Sequence, residues 1–200
     1  MLYLIRHGET AWNAAGRYQG QKDSPLTALG REQATLFGSL LAHQIRHYSS
    51  VRAYVSPLGR TRETATIIDQ SINLEIIDEP RLMEVTTGSW DGLSTYEIEA
   101  KFPGALAGAT AFDWFFRSPD GESFETALQR VSLWLKDVVT PAVAISHGLT
   151  GRLVRGAYLG LSKQTMLELP VPQDGIFKLA DGTIDFIRTN SPPTIWPLST

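Results

Sequence analysis

The stretch MLYLIRHGET (residues 1–10) decides how this chain folds. Its apolar run LYLI (2–5) is short, continuous and followed at once by charged residues, which is typical of a strand buried on both faces of a sheet. Arg6, His7 and Glu9 come directly after this run. Reactive side chains at the end of a buried strand indicate a ligand site at that edge of the sheet.

Two further segments repeat this arrangement. VRAYVS (51–56) and AVAIS (142–146) are also typical of short buried strands. A polar cluster begins where each apolar run stops: SPLGRTRET after VRAYV and SHGLTGR after AVAI. If the three strands are parallel neighbours, four side chains meet at one sheet edge: Arg6, His7, Arg60 and His147. Two arginine forks suit a phosphoryl group, and histidine adds a donor or a nucleophilic nitrogen. The sequence therefore predicts an anion pocket.

The segments between these strands predict helices. LTALGREQATLFGSLLAHQI (26–45) has apolar residues near helical spacing and Thr27 placed to cap it. Further helices are expected over 61–72, 124–139 and 148–159, and a capping box of Ser94 and Glu97 predicts one that ends near Phe102. GIFKLADGTIDFI (175–187) predicts a hairpin that turns at Asp181 and Gly182. This alternation indicates an α/β fold with three layers, α/β/α, and a mostly parallel central sheet.

Composition limits the classes of function. The chain has 200 residues, 42% of them hydrophobic, and we expect a single domain over 1–190 and a proline-rich tail over 191–200. A formal net charge of −3 predicts no nucleic-acid partner and no membrane partner. No signal segment or membrane-length apolar run is present, so a cytoplasmic location is expected. The lack of cysteine excludes disulfides, thiolate metal ligands and cysteine nucleophiles.

Three enzyme classes lack the residues that they need. AISHG (144–148) is a variant of a serine-hydrolase nucleophile motif, but no histidine follows His147 to serve as the base. No D-x-D pair ends a strand and the four histidines lack ligand spacing, so no metal site is expected. No P-loop motif for nucleotide binding is present. His43 and His47 are expected in solvent, Arg62 and Arg152 on helix surfaces, and Arg17 directly after a turn at Gly16.

Four motifs in order resemble the histidine phosphatase superfamily, also called phosphoglycerate-mutase-like. They are RHGETAWN (6–13), the S-P-L-x-R segment (56–60), Leu82-Met83-Glu84 followed by GSWDG (88–92), and Ser146-His147-Gly148. The resemblance covers residues 2 to about 155. It implies a phosphoglycerate-mutase-like fold and a phosphatase that needs neither a metal nor a cofactor.

The resemblance also implies roles for individual residues. His7 is similar to the nucleophile that accepts the phosphoryl group, and Glu84 is similar to the family's proton donor, which must be protonated when the leaving alkoxide departs. Contacts to the phosphoryl group are expected from Arg6, Arg60, His147, Asn13 and Gly148. Gln19 and Gly20 are expected to line the substrate entrance. Glu9, Thr10 and Ser56 are expected to support the pocket without touching the substrate.

The segment over 102–116 is the clearest indication of the substrate, because it carries five aromatic residues: Phe102, Phe112, Trp114, Phe115 and Phe116. They either form an apolar lid in which Trp114 contacts the leaving group or pack into the core. The expected partner is a small phosphorylated metabolite, and a homodimer is left open. A cofactor-dependent phosphoglycerate mutase and a catalytically silent phosphate-binding module are the alternatives to a phosphatase.

Overall fold

The computed structural model describes residues 1–110 and 112–189, and six strands in these ranges form one sheet. The strands are β1 (Leu2–Arg6), β2 (Val51–Val55), β3 (Leu74–Asp78), β4 (Ala142–Ser146), β5 (Gly175–Ala180) and β6 (Thr183–Arg188). They lie in the order β3-β2-β4-β1-β5-β6. The first four strands along the chain are parallel, β5 is antiparallel to β1, and β6 is antiparallel to β5. The expected mostly parallel sheet is confirmed.

Seven helices surround the sheet in the described ranges. They are α1 (Ala11–Ala14), α2 (Ala28–Gln44), α3 (Gly59–Asp69), α4 (Thr95–Lys101), α5 (Phe124–Asp137), α6 (Gly148–Leu159) and α7 (Lys163–Glu168). The predicted caps are confirmed: Thr27 accepts a hydrogen bond from the Gly30 amide, and Ser94 and Glu97 form a capping box. Short 3-10 helices cover Pro80–Leu82, Gly88–Trp90 and Asp113–Phe116.

The two faces of the sheet pack against different helices. Successive side chains of a strand point to opposite faces, so Leu2 and Leu4 pack in one buried cluster with residues of α5 and α6. Tyr3 and Ile5 pack in the other cluster with residues of α2 and α3. Both clusters consist mainly of aliphatic and aromatic residues. Removal of their apolar surface from water is the dominant favourable contribution to folding. The three-layer architecture is therefore confirmed.

The parallel register brings three strand ends to one edge. β4 pairs with β1 on one side and β2 on the other, and Arg6 lies opposite Ser146. The residues that follow β1, β2 and β4 therefore start at the same edge, where α3 and α6 also begin. The free N–H groups at the amino ends of these helices make this edge of the sheet electropositive, which suits an anion.

The carboxyl-terminal hairpin forms as predicted. Asp181 and Gly182 connect β5 to β6 with φ values of +51° and +75°. A two-residue turn with positive φ at both positions matches the twist of an antiparallel pair, and Asp-Gly is a preferred sequence for it. The hairpin covers the β1 edge of the parallel sheet. The proline-rich tail predicted over 191–200 lies outside the described residues.

Other elements were not predicted. β3 was missed because it is an edge strand in which only Leu74 is buried, so its sequence LEIID shows no continuous apolar run. The short helices α1 and α7 were also missed. The predicted helix over 61–72 begins earlier and ends earlier, at Gly59–Asp69. Among the helices of the described residues, none is both long and apolar enough to span a membrane.

Candidate active site

A cavity of about 430 Å³ opens beyond the carboxyl ends of β1 and β4. Of the ten residues that the sequence assigned to the site, nine line this cavity and His147 does not. They come from segments far apart in the chain, and the parallel register brings them together. A volume in this range suits a whole small molecule rather than a phosphoryl group alone.

His7 is held in one tautomer. Its Nδ1 atom lies 2.7 Å from the carbonyl oxygen of Gly8, and a carbonyl oxygen can only accept, so Nδ1 carries the proton. The lone pair is then on Nε2. His7 is 3% exposed, and burial, with the charges of Arg60 and Arg6, lowers its pKa well below 6.5. The imidazole is therefore neutral at pH 7, as a nucleophile requires.

Arg6 and Arg60 supply positive charge beside His7. An Nη atom of Arg6 donates to the Val171 carbonyl at 2.6 Å. Arg60, which is 2% exposed, donates to Asp23 Oδ1 and to the Gly20 carbonyl, both at 2.8 Å. Burial lowers the pKa of both guanidinium groups, that of Arg6 to about 10, so both stay charged at neutral pH. These cations are fixed before any ligand arrives, which suits stabilisation of a phosphoryl group.

His147 stands next to His7 without lining the large cavity. The two ring centroids are 5.3 Å apart, and His147 is 1% exposed. Its Nε2 atom lies 2.7 Å from Ser56 Oγ, and it lines a second cavity of about 10 Å³. Burial, with the charge of Arg60, lowers the pKa of His147 well below 6.5. Its contact with the phosphoryl group stays a prediction, whereas Ser56 has a supporting contact with His147.

Glu84 lies at the amino end of α6. Its carboxyl oxygens accept hydrogen bonds from the backbone amides of Leu149 at 3.2 Å and Thr150 at 2.9 Å, and from the Thr150 hydroxyl at 3.0 Å. These donors belong to the first turn of the helix, where N–H groups have no partner within the helix. They hold the carboxyl group in one orientation at the cavity wall.

Asn13 and Gln19 present amide groups to the cavity. Asn13 Oδ1 accepts from the Thr10 amide at 3.1 Å in the capping box of α1, so only its NH₂ donor remains for a ligand. Gln19 Oε1 accepts from Ser24 Oγ at 3.3 Å. A donor at Asn13 suits a phosphoryl oxygen, and that contact stays a prediction.

Gly20 and Gly148 contribute through their backbones. Gly20 has φ +52°, and a Cβ atom there would lie 1.8 Å from Asp91 Oδ1, so only glycine fits. Its carbonyl accepts from Arg60, which places Gly20 as a support of that arginine. Gly148 is the first residue of α6, and a Cβ atom on it would lie 3.6 Å from the Arg6 guanidinium carbon.

Aromatic rings form one wall of the cavity. Trp114, 9% exposed, stacks on Phe115 with centroids 3.9 Å apart, and Tyr18 meets the Trp114 ring edge-on at 4.5 Å. Phe112 also lines the cavity, whereas Phe102 packs on Trp90 away from it. The aromatic segment over 102–116 is therefore partly cavity wall and partly core.

The family model of the histidine phosphatase superfamily (branch 1) matches residues 2–182. The chain belongs to this superfamily. It is 34% identical to a probable phosphoglycerate mutase, GpmB, of Enterobacter sp. (strain 638), over 96% of this chain and 86% of that protein. It is also 34% identical to phosphoserine phosphatase 1 of Hydrogenobacter thermophilus, over 80% of this chain and 76% of that protein.

Solved structures of histidine phosphatases share the fold. The α-ribazole phosphatase of Shigella flexneri superposes with a TM-score of 0.76 at 27% identity, over 95% of this chain and 96% of that one. Together with the relatives, this similarity supports a phosphatase or mutase enzyme. Within the described residues of this chain, no group of three or more His, Asp or Glu side chains could hold a metal ion.

Two arginines that the sequence did not assign to the site line the cavity. Arg152 was expected at the surface, but it is 3% exposed and lines the cavity, where it contacts the Leu169 carbonyl and the Phe112 ring. Arg17 also lines the cavity and makes a two-pronged ion pair with Glu97 at 2.7 and 2.8 Å. The buried spacing of Leu149, Arg152 and Leu153 on one helix was the signal that could have placed Arg152 inside.

The other surface expectations hold. His43 and His47 are exposed, and the half-exposed side chain of Arg62 forms a surface ion pair with Asp78. Glu9, expected as a support, accepts a hydrogen bond from Thr27 Oγ1 at 2.8 Å. That bond joins the loop after β1 to the start of α2.

Proposed function

We propose that the protein is a metal-independent phosphomonoesterase that hydrolyses a small phosphorylated metabolite through a phosphohistidine. The observation that carries this proposal is the His7 ring: Nδ1 is bound to the Gly8 carbonyl, which leaves the lone pair on Nε2, and His7 lines the cavity together with Arg6 and Arg60. A neutral imidazole can attack phosphorus without a separate base. A silent phosphate-binding module would not need a fixed nucleophile and a fixed carboxyl group in one cavity.

In the first step, His7 Nε2 forms a bond to phosphorus as the bond from phosphorus to the leaving oxygen breaks. Protonated Glu84 gives its proton to that oxygen, so the product leaves as an alcohol. Arg6, Arg60 and the Asn13 NH₂ group stabilise the charge on the three remaining phosphoryl oxygens. We also assign His147, whose ring centroid lies 5.3 Å from that of His7, to the stabilisation of the phosphoryl group.

In the second step, water attacks the phosphohistidine. The Glu84 carboxylate takes a proton from that water, the bond from Nε2 to phosphorus breaks, and inorganic phosphate is released. His7 recovers its lone pair and Glu84 its proton, which closes the cycle. Gln19 and the aromatic wall limit how much water reaches the intermediate.

A phosphoglycerate mutase is the second candidate, and the curated relative named as a probable phosphoglycerate mutase supports it. A mutase returns the phosphoryl group to a bound phosphoglycerate and must hold that small, highly charged acid. One wall of the cavity in this chain is aromatic, and Tyr18, Trp114 and Phe115 line it. That wall favours hydrolysis of an ester with an apolar leaving group.

The test is to trap the intermediate. Protein incubated briefly with ³²P-labelled phenyl phosphate and denatured without acid should retain label that is stable in alkali and lost in acid, as a phosphoramidate is. His7→Ala should retain none. His47→Ala is the matched control, because it removes an exposed histidine, and it should retain label as the wild type does.

Two results would contradict the proposal. Full label or full activity in His7→Ala would exclude His7 as the nucleophile. With 3-phosphoglycerate as substrate, formation of 2-phosphoglycerate faster than release of inorganic phosphate would favour the mutase instead.

A further inference from the structure

Arg152 is a buried cation on the wall of the cavity. It is 3% exposed, its Nε atom donates to the Leu169 carbonyl at 2.5 Å, and its guanidinium carbon lies 3.6 Å from the centre of the Phe112 ring. One edge and one face of the guanidinium are therefore occupied. Within residues 1–110 and 112–189, its terminal amino groups have no hydrogen-bond acceptor, although they are not sealed from the cavity.

The charge of Arg152 has no carboxylate partner in the described part of the chain. Arg60 pairs with Asp23 and Arg17 with Glu97, but Arg152 makes no ion pair. Its neighbour Arg155 is also cationic and donates to the carbonyls of Gly151 and Pro170. Burial and the charge of Arg155 lower the pKa of Arg152 to about 10, so it stays charged at neutral pH. A buried, unpaired charge is costly, and an anionic ligand would relieve that cost.

The position of Arg152 relates it to the leaving group. It lines the same cavity as Glu84, the group assigned to protonate the leaving oxygen, and its guanidinium stacks on Phe112. Apolar residues that include Leu149 and Phe112 line this cavity as well. An anion bound by Arg152 would therefore belong to the leaving group, while Arg6 and Arg60 hold the phosphoryl group.

Resting on the proposed phosphatase function, we propose that Arg152 binds a carboxylate of the leaving group, so that the substrates are phosphomonoesters with an apolar body and a carboxylate. A single guanidinium with its terminal donors free matches a monoanion in a two-pronged geometry. Arg155 already donates to two backbone carbonyls, so it is not free to bind a second negative charge on the leaving group.

The experiment compares 4-carboxyphenyl phosphate with 4-carbamoylphenyl phosphate, which has nearly the same shape without the charge. The wild type should prefer the carboxylate ester in kcat/KM by about 10-fold to 100-fold, the range expected for charge-assisted hydrogen bonds. Arg152→Met should lose that preference, because the carboxylate ester loses more kcat/KM than the neutral ester does. Arg152→Lys should retain part of it, because it keeps the charge without the fork.

Arg155→Met is the matched control, since it removes a neighbouring buried arginine that does not line the large cavity. It should keep the preference of the wild type. If Arg152→Met fails to fold, the wild type still decides: 4-hydroxybenzoate should inhibit competitively at least tenfold more strongly than 4-hydroxybenzamide.

The outcomes separate the two proposals. Equal wild-type kcat/KM for both esters, or equal losses on both in Arg152→Met, would overturn the role of Arg152 and leave phosphatase activity intact. Absence of phosphate release from every ester, with no labelled phosphohistidine, would defeat the phosphatase proposal itself.

Discussion

Gly8 and Gly30 lie back to back, with no room for a side chain on either. A Cβ atom on Gly8 would lie 2.2 Å from the carbonyl oxygen of Gly30, and one on Gly30 would lie 2.0 Å from the carbonyl oxygen of Glu9. The loop after β1 is thereby seated against the first turn of α2. Because the Gly8 carbonyl fixes the His7 ring, this contact between two backbones positions the proposed nucleophile.

Gly8→Ala should therefore damage both stability and activity. The clash is with backbone, which cannot turn away, so we expect a loss of about 1–3 kcal/mol in unfolding free energy and at least tenfold in kcat. Gly151→Ala is the control, because a Cβ atom there meets nothing within 4 Å and alanine favours a helix. Urea denaturation and steady-state rates test both. Wild-type rates in Gly8→Ala would contradict the positioning role.

Stability should fall as the pH drops below 6.5. Burial keeps the pKa of His7 and His147 well below 6.5 in the folded protein, whereas both take up protons near pH 6.5 when unfolded. The unfolded state then binds more protons, so unfolding free energy decreases by up to about 1.4 kcal/mol per pH unit for each histidine. Urea denaturation between pH 7.5 and 5.5 measures this slope. His7→Asn should have a shallower slope, and an unchanged slope would contradict the prediction.

Glu84→Gln should depend on the leaving group. An alkyl phosphate needs a proton on its departing oxygen, whereas p-nitrophenolate leaves readily without one. We expect kcat to fall about 100-fold or more on an alkyl ester and much less on p-nitrophenyl phosphate. Glutamine keeps the size of the side chain and an acceptor for the Thr150 amide. Equal losses on both esters would mean that Glu84 is not the acid.

Trp114→Ala should reduce kcat/KM for an aromatic phosphomonoester by roughly tenfold while barely changing it for phosphoglycerate. Burying the apolar part of a substrate against this ring contributes about 1 to 3 kcal/mol, which a small ester cannot gain. Phe102→Ala is the control, because Phe102 packs on Trp90 and does not line the cavity. It should lower the melting temperature without changing substrate preference. Uniform losses in Trp114→Ala would assign Trp114 to the core.

Activity should survive EDTA and should be inhibited by vanadate. The proposed chemistry draws its positive charge from Arg6 and Arg60 and its nucleophile from His7, so no step needs a metal ion. Vanadate imitates five-coordinate phosphorus and should occupy the same groups. The measurement is phosphate release with each reagent added separately. Loss of activity in EDTA that one divalent metal restores would refute the prediction.

Local sequence was informative about strands and helix ends. The runs LYLI and AVAI are apolar at every position because β1 and β4 are buried on both faces. A continuous apolar run of four residues is visible in the sequence without knowledge of the rest of the fold. Caps such as Thr27 accept hydrogen bonds from amides three residues away, so the local sequence is enough to predict them. The edge strand β3 has no such pattern, because neighbours cover it on one side only.

The sequence by itself determined which chemical groups are present and that they follow the ends of buried strands: Arg6, His7, Arg60 and His147 all do. Only the tertiary structure decided how these groups face one another. It placed His147 against Ser56 instead of on the cavity wall and placed Arg152 inside the cavity. The physical reason is the distance along the chain over which each interaction acts. Backbone propensity and caps act over a few residues, whereas burial, tautomer and charge pairing depend on segments that meet only when the sheet forms.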